Sequence, residues 1–309
     1  MTHPTDLSII IVTYNGRDIT LQTLQSYSDA IAADPAHAYE IIVVDNASRD
    51  GVADAIAARY PDLRLIRNSE NYGFARAGNI GFEASAGRYV LSSNPDIEVD
   101  ASTLPTLIQL MDESPDVGAC TPYLELVQTG ELDWGAHRGF PTPWASFTYF
   151  TRLSRLFQGS RTLSRVFGQY ELRDRDLSVA HEVDAILGGF FFVRRSAFEE
   201  AGCWDERYFM FAEDIDLCFQ LNQRGYKVMF YPQAHALHYH GLTTGLKQHS
   251  QDVATSTPQE RERAYNAFYD TMKLFYDKNY GKTYGPLIRW LIFVGIDAKR
   301  RLGSRDKTV

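Results

Sequence analysis

Four groups of side chains in this chain have the types and spacing that acid–base or metal chemistry needs. The first is "FAEDIDL", where Glu213, Asp214 and Asp216 crowd one turn. Acids at a helix start interact favourably with the helix dipole, each by roughly 0.3–1 kcal/mol. Three of them behind the aromatic run "YFMF" (208–211) exceed what a dipole needs. Crowded carboxylates raise one another's pKa, which suits a general base. The second group is Asp96 in "YVLSSNPDIE". Asn94 and Pro95 are ordinary turn formers, and the turn leaves an acid at the end of a strand. The third is "HALHYHG", where His238 and His240 are two apart and share one side of a strand. An Asp with a His suits Mn²⁺ or a similar divalent ion, whereas Mg²⁺ is content with carboxylates, phosphates and water. The fourth pairs Asp45, which ends "EIIVVDN", with the glycine-bracketed Arg76 of "NYGFARAGNIG" (71–81). Asp45 suits either an Asx cap on its own turn or a hydrogen-bond acceptor for a ribose or base. The glycines suit either a helix start that meets phosphate or close helix packing.

Short apolar runs alternating with helical segments must position these groups. "LSIIIVTY" (7–14) and "EIIVVDN" (40–46) read as strands buried on both faces, "LRLIRN" (63–68) as a third, and "YVL" as a fourth. Helices are expected over about 18–33, 51–60 and 74–86. Strand–helix alternation predicts an α/β domain with a mostly parallel central sheet. Ligands bind at the carboxyl ends of such strands. That places Thr13-Tyr14-Asn15, Asp45-Asn46 and Asn94-Pro95-Asp96 on one edge. Residues 123–181 mix aromatics with arginines without a clean period and read as an excursion from the core. Strand character returns over 183–198, broken by Gly188-Gly189, followed by a helix over 212–225 and a strand over 226–232. The last sixty residues read as helices from Pro258 to Tyr276 and from Pro286 to Arg301.

Composition narrows the function class. The chain has 309 residues, 44% of them hydrophobic and 23% charged, which is ordinary for a soluble globular protein. A net charge of −8 argues against a broad nucleic-acid footprint, which needs a basic surface. Cys120, Cys203 and Cys218 are far apart with no C-x-x-C spacing, so neither a zinc ribbon nor a disulfide framework is expected. The start, "MTHPTDLSII", has no basic-then-apolar leader, and "WLIFVGI" (290–296) is too short to span a bilayer. The expectation is a cytoplasmic protein, with peripheral contact to the inner face of the cytoplasmic membrane left open.

Six segments in order, "SIIIVTYNG", "IIVVDNASRDG", "NYGFARAGNIGF", "LSSNPDIEV", "GGFFFVRRSAFEEAGCWDERYFMFAEDIDLCFQLNQRGYKV" and "HALHYHG", resemble the family 2 inverting glycosyltransferases, and within them the bacterial rhamnosyltransferase-like members. The resemblance spans about residues 7–245 and implies the GT-A nucleotide-diphospho-sugar fold with a C-terminal helical extension over 246–309. It implies transfer of a sugar to an acceptor hydroxyl with inversion. It also implies roles. Thr13, Tyr14 and Asn15 would line the base site, Asp45 would meet base or ribose, and Arg76, Gly78 and Asn79 would flank the nucleotide. Asn94-Pro95-Asp96 would stand for the Asp-x-Asp metal motif with Asn in the first place, a substitution also common in rhamnosyltransferase-like members. Asp96 and His238, or His240, would hold Mn²⁺ or Mg²⁺. Asp214 would be the base with Glu213 beside it, and Trp204, Asp205 and Gly189 would line the acceptor side. The donor it points to is dTDP-L-rhamnose, with a UDP-hexose as the alternative, and the acceptor a surface glycan.

Two other readings compete. A sugar nucleotidyltransferase needs a glycine-rich basic loop after the first strand, and "TYNGRD" has one glycine and one arginine. A non-catalytic glycan-binding or nucleotide-binding scaffold has only Asn94 in its favour. Finally, "YGPLIRWLIFVGIDAKRR" (284–301) suits a helix in a membrane interface, which would point to a lipid-linked acceptor. It equally suits a helix packed on the domain or on a second subunit as a homodimer contact.

Overall fold

Runs that are apolar at every position must be covered on both faces, and the central strands are. The computed structural model describes residues 5–157, 159–239 and 257–303. β1 (Leu7–Thr13) is buried along its whole length. It leads through α1 (Arg17–Ala33) to β2 (Tyr39–Asp45), then α2 (Val52–Arg59), β3 (Arg64–Arg67), α3 (Phe74–Glu83) and β4 (Tyr89–Ser93). A short turn leads to β5 (Ile97–Val99), followed by α4 (Thr103–Glu113), β6 (Val117–Leu126) and β7 (Glu131–Leu132). The insertion carries α5 (Pro143–Phe150), α6 (Leu153–Leu156) and α7 (Arg161–Phe167). The chain returns through β8 (His181–Glu182), β9 (Phe190–Arg194), α8 (Arg195–Ala201), α9 (Glu213–Gln223) and β10 (Lys227–His238). It closes with α10 (Pro258–Asn279) and α11 (Pro286–Gly303).

The sheet order is β3-β2-β1-β4-β9-β6-β10-β5, with β7 on β6 and β8 on β10. β3, β2, β1 and β4 are mutually parallel. β9 lies antiparallel between β4 and β6, and β6 pairs with β10 in parallel. Six strands thus share one direction, and their carboxyl ends share one edge. Alternate residues serve opposite faces: Leu7, Ile9 and Ile11 join one core cluster, with Leu24, Tyr27 and Leu107, whereas Ile10 joins another, with Phe82, Phe191 and Trp204.

Three sequence expectations are corrected. The excursion does not begin at residue 123, because β6 runs to Leu126, held by β10 from Tyr123 to Leu126. The strand expected over 183–198 stops at Arg194, because β4, its partner, begins at Tyr89 opposite it. Arg195–Ala201 is helix instead. The strand expected to stop at Pro232 continues to His238. A proline is tolerated at a bulge, and the register with β6 shifts between Tyr231 and His235.

The C-terminal helices close the site rather than trailing from it. Phe275 and Tyr276 of α10 are buried in the same cluster as Trp204 and Phe191. Asp216 of α9 accepts from Lys278 Nζ at 2.6 Å and Asn279 Nδ2 at 2.8 Å. The boundary expected between 245 and 246 lies outside the described residues.

Candidate active site

β5 and β10 pair antiparallel with Ile97 opposite His238. This register brings Asp96, one residue before β5, beside the end of β10. Asp96 and His238 are each 2% exposed, and Asp96 Oδ1 stands 3.5 Å from His238 Nε2. Asp96 Oδ1 is buried without a hydrogen-bond partner. On its other side the ring shares a 2.8 Å hydrogen bond between His238 Nδ1 and Asp133 Oδ2, and Asp133 Oδ1 is held by the Gly135 N–H at 2.9 Å. Burial works against the imidazolium, but the hydrogen bond to Asp133 and the nearby Asp96 carboxylate prevail and lift the His238 pKa to about 9.

These residues fit a divalent ion. An orphaned carboxylate oxygen faces an imidazole nitrogen whose opposite nitrogen is fixed by a carboxylate, as in metal-ligating histidines. Among the described residues no group of three or more His, Cys, Asp or Glu side chains closes around an ion. The described residues thus supply two side chains that could act as ligands, and the rest of any coordination would fall to ligand oxygens and water. His240, the alternative ligand, lies outside the described residues.

A second set of acids stands at the start of α9. Phe211 and Ala212 take φ values of 71° and 65°, left-handed conformations that non-glycine residues rarely adopt. After this turn Glu213 and Asp214 line the same cavity, of about 970 Å³, as Asp96 and His238. Asp216 does not; it binds α10. Asp214 Oδ2 accepts from Arg138 Nη2 at 2.8 Å and the Gly188 N–H at 2.9 Å, and Oδ1 accepts from the Ile215 N–H at 2.7 Å. Burial opposes the Arg138 charge, but Asp214 keeps it firmly protonated. For Glu213 a backbone hydrogen bond and the Arg138 charge are outweighed. Its Oε2 is buried without a partner, and burial, with the charge of Asp214, pushes its pKa up to about 8.

The strand ends supply the rest of the wall. Asn94 lines the cavity, and its N–H donates to Gly189 O at 2.7 Å. A Cβ at Gly189 would lie 2.6 Å from Asn94 Nδ2 and would displace the Asn94 amide. Tyr14 also lines it, its hydroxyl donating to Glu260 of α10.

The remaining residues expected at the site have other contacts. Thr13 Oγ1 lies 3.1 Å from Thr20 Oγ1. Asn15 Oδ1 accepts from the Arg49 N–H at 2.9 Å, tying the first strand's loop to the second's. Asp45 accepts from the Ser48 N–H at 3.2 Å, the Asx cap. Its neighbour Asn46, on the opposite side of the strand end, lines the cavity instead. Arg76 is exposed over the Tyr72 ring at 4.2 Å. Gly78 makes room for Trp204, whose indole would be 2.9 Å from an added Cβ. Asn79 accepts from Trp204 N at 3.1 Å and donates to Trp204 O at 2.9 Å. Trp204 is thereby locked into the core at 3% exposure. Burial works against the Asp205 charge, but Arg207 and Lys278 hold its pKa well below the usual range. Structurally these residues build the frame; Tyr14, Asn94, Asp96, Gly189, Glu213, Asp214 and His238 face the cavity.

Sequence reasoning missed Arg138 and Asp133, both in "DWGAHRG" (133–139). Their partners are 76 and 105 residues away in the chain, so no local spacing announces them. The one local signal is a compact polar segment directly after a strand.

A sheet with its carboxylates and histidine gathered at the carboxyl ends of parallel strands, around one deep cavity, is the architecture of the GT-A-type sugar transferases. The chain belongs to glycosyl transferase family 2, whose profile matches residues 8–202. It is 27% identical to the N-acetylglucosaminyl-diphospho-decaprenol L-rhamnosyltransferase of Mycobacterium tuberculosis, over 77% of this chain and 78% of that one. It is 30% identical to the rhamnosyltransferase WbbL of Escherichia coli, over 75% of this chain and 82% of that one. Among solved structures, a Pyrobaculum calidifontis mannosyltransferase in complex with GDP-Man and Mn²⁺ superposes with a TM-score of 0.55 at 16% identity, covering 99% of this chain and 72% of the other. GalNAc-T7 with UDP, GalNAc and Mn²⁺ gives 0.56 at 16% identity, over 96% of this chain, which spans 55% of that structure. At such identities the structural likeness concerns the fold. No helix among the described residues is long and apolar enough to cross a membrane.

Proposed function

We propose that this glycosyltransferase moves L-rhamnose from dTDP-L-rhamnose to a hydroxyl of a lipid-linked glycan, with inversion at the anomeric carbon. One observation carries the reading: a single cavity joins the buried Asp96–His238 pair to the Arg138-held Asp214. The donor and acceptor classes are supported by the two rhamnosyltransferase relatives, one of which is named for a diphospho-decaprenol substrate.

Asp96 Oδ1 and His238 Nε2 would hold a divalent ion, which when bound would stabilise negative charge on the leaving diphosphate. Asp133 keeps the imidazole turned toward Asp96. At the other end of the cavity a carboxylate must take the acceptor's proton. Asp214 suits this because Arg138 and two backbone N–H groups fix the position of its carboxylate in the cavity wall. Glu213 is neutral below about pH 8, so its Oε2 can offer a proton as a hydrogen bond to a sugar hydroxyl. Single displacement needs no covalent nucleophile.

The test is a screen of nucleotide sugars by calorimetry with and without Mn²⁺. Tight, Mn²⁺-dependent binding of dTDP-L-rhamnose over UDP-galactose is expected. Preference for a UDP-hexose would move the donor assignment, and metal-independent binding would remove Asp96 and His238 as ligands.

A further inference from the structure

The cavity does not stop at Glu213 and Asp214. Beyond them its walls are three helices. α11 contributes Ile288, Leu291, Gly295, Ala298 and Leu302, which recur every three or four residues and so form one stripe. From the insertion, α5 contributes Pro143, Phe147 and Phe150, and α10 contributes Phe268 and Met272. Much of this apolar wall is open to water: Phe147 is 54%, Leu291 55% and Leu302 82% exposed. Contiguous exposed apolar surface of this kind marks a binding site.

The groove also carries positive charge. Lys299 Nζ lies 4.1 Å over the Phe150 ring. Burial and then the nearby Arg152 charge lower its pKa. No ion pair with a carboxylate joins either residue among the described residues. Lys299 in the groove and Arg152 beside it, with no acid paired to either among the described residues, suit an anionic ligand.

The ligand this lining fits has a hydrocarbon and an anionic head, in the cavity that Asp214 also lines. A membrane surface would meet a convex face, whereas these side chains line a concave groove continuous with the catalytic acids. We infer that the groove between α5, α10 and α11 seats the hydrocarbon of a diphospholipid acceptor, with Lys299 and Arg152 facing its diphosphate. The acceptor's sugar then reaches Asp214. This rests on the transferase reading for the role of the ligand, not for the site.

The test uses the full chain and farnesyl diphosphate as the probe, with inorganic diphosphate for comparison. Calorimetry is run in EDTA, so that neither binds through a metal at Asp96. Farnesyl diphosphate is expected to bind at least about tenfold tighter than inorganic diphosphate, since its hydrocarbon leaves water. Leu291→Gln and Phe147→Gln should each remove most of that advantage, and Lys299→Glu should weaken both probes. Mn²⁺-dependent binding of the donor nucleotide serves as the folding check. Equal affinity for the two probes, or variants that bind as the wild type does, overturns the inference. So does Leu291-dependent binding to phosphatidylglycerol vesicles without binding of farnesyl diphosphate, or a dimer that Leu291→Gln dissolves. If farnesyl diphosphate binding follows Leu291 and Lys299 while dTDP-L-rhamnose proves not to be a donor, the groove stands and the donor assignment falls.

Discussion

At the scale of single residues, the two ends of the cavity make opposite demands on their carboxylates. Asp96 has an oxygen with no partner, as a ligand in waiting should. Asp96→Ala is expected to abolish Mn²⁺-dependent donor binding in calorimetry; unchanged binding would end its role as a ligand. Asp133→Asn should keep the fold but weaken metal affinity by about 10–100-fold, the usual cost of losing a partner that orients a histidine. Asp214 and Glu213 differ in their surroundings, so their variants should differ. Asp214→Asn is expected to cut turnover by about 10²–10⁴-fold, whereas Glu213→Gln, which keeps a hydrogen-bond donor in place, should retain most of it. The reverse ranking would make Glu213 the base. Glu213 also predicts a stability trend. Its carboxyl ionises near 4.5 in the unfolded chain and at about 8 in the folded one. Between those values the native state holds the extra proton, so stability is fully present at low pH and falls as pH rises through the window. Denaturant midpoints measured at pH 5 and pH 8 should therefore converge in Glu213→Gln. An unaltered difference would show that Glu213 is not the source.

At the scale of elements, the strands before the site were legible and the site's closure was not. Continuous apolar runs such as Leu7–Thr13 announce buried strands because both faces must be covered. That Asp96, Asp214 and His238 line one cavity was legible because each sits at a strand end or helix start, where local sequence controls position. Arg138 and Asp133 were not, because what matters about them is a partner far along the chain. Trp204, expected on the acceptor side, is instead the pillar against which α3 and β9 pack, and Gly78 and Asn79 serve it. Tertiary packing decides between a ligand wall and a core wall, and sequence spacing cannot. Nor did the sequence show that α10 is bound to α9 through Asp216. Lys278→Ala strips one charge partner from a carboxylate that is 2% exposed, leaving Asn279 and Tyr208. We expect it to lower unfolding free energy by about 1–3 kcal/mol in a denaturant titration. A loss near zero would mean that the bridge is not what docks α10.

At the scale of the whole molecule, the fold divides its labour along one cavity. The parallel strands end beside Asp96 and His238, α9 brings the acids, and the insertion and C-terminal helices add an apolar mouth that includes Lys299. The central claim is that these parts serve rhamnosyl transfer from dTDP-L-rhamnose, and one assay meets it directly. Purified protein, Mn²⁺, radiolabelled dTDP-L-rhamnose and an N-acetylglucosaminyl-diphospholipid are incubated, and the lipid product is analysed by NMR. The account predicts Mn²⁺-dependent transfer of rhamnose with inverted anomeric configuration, lost in both Asp96→Ala and Asp214→Asn. Retained configuration, or no rhamnose transfer under conditions where a UDP-hexose is transferred, would contradict it.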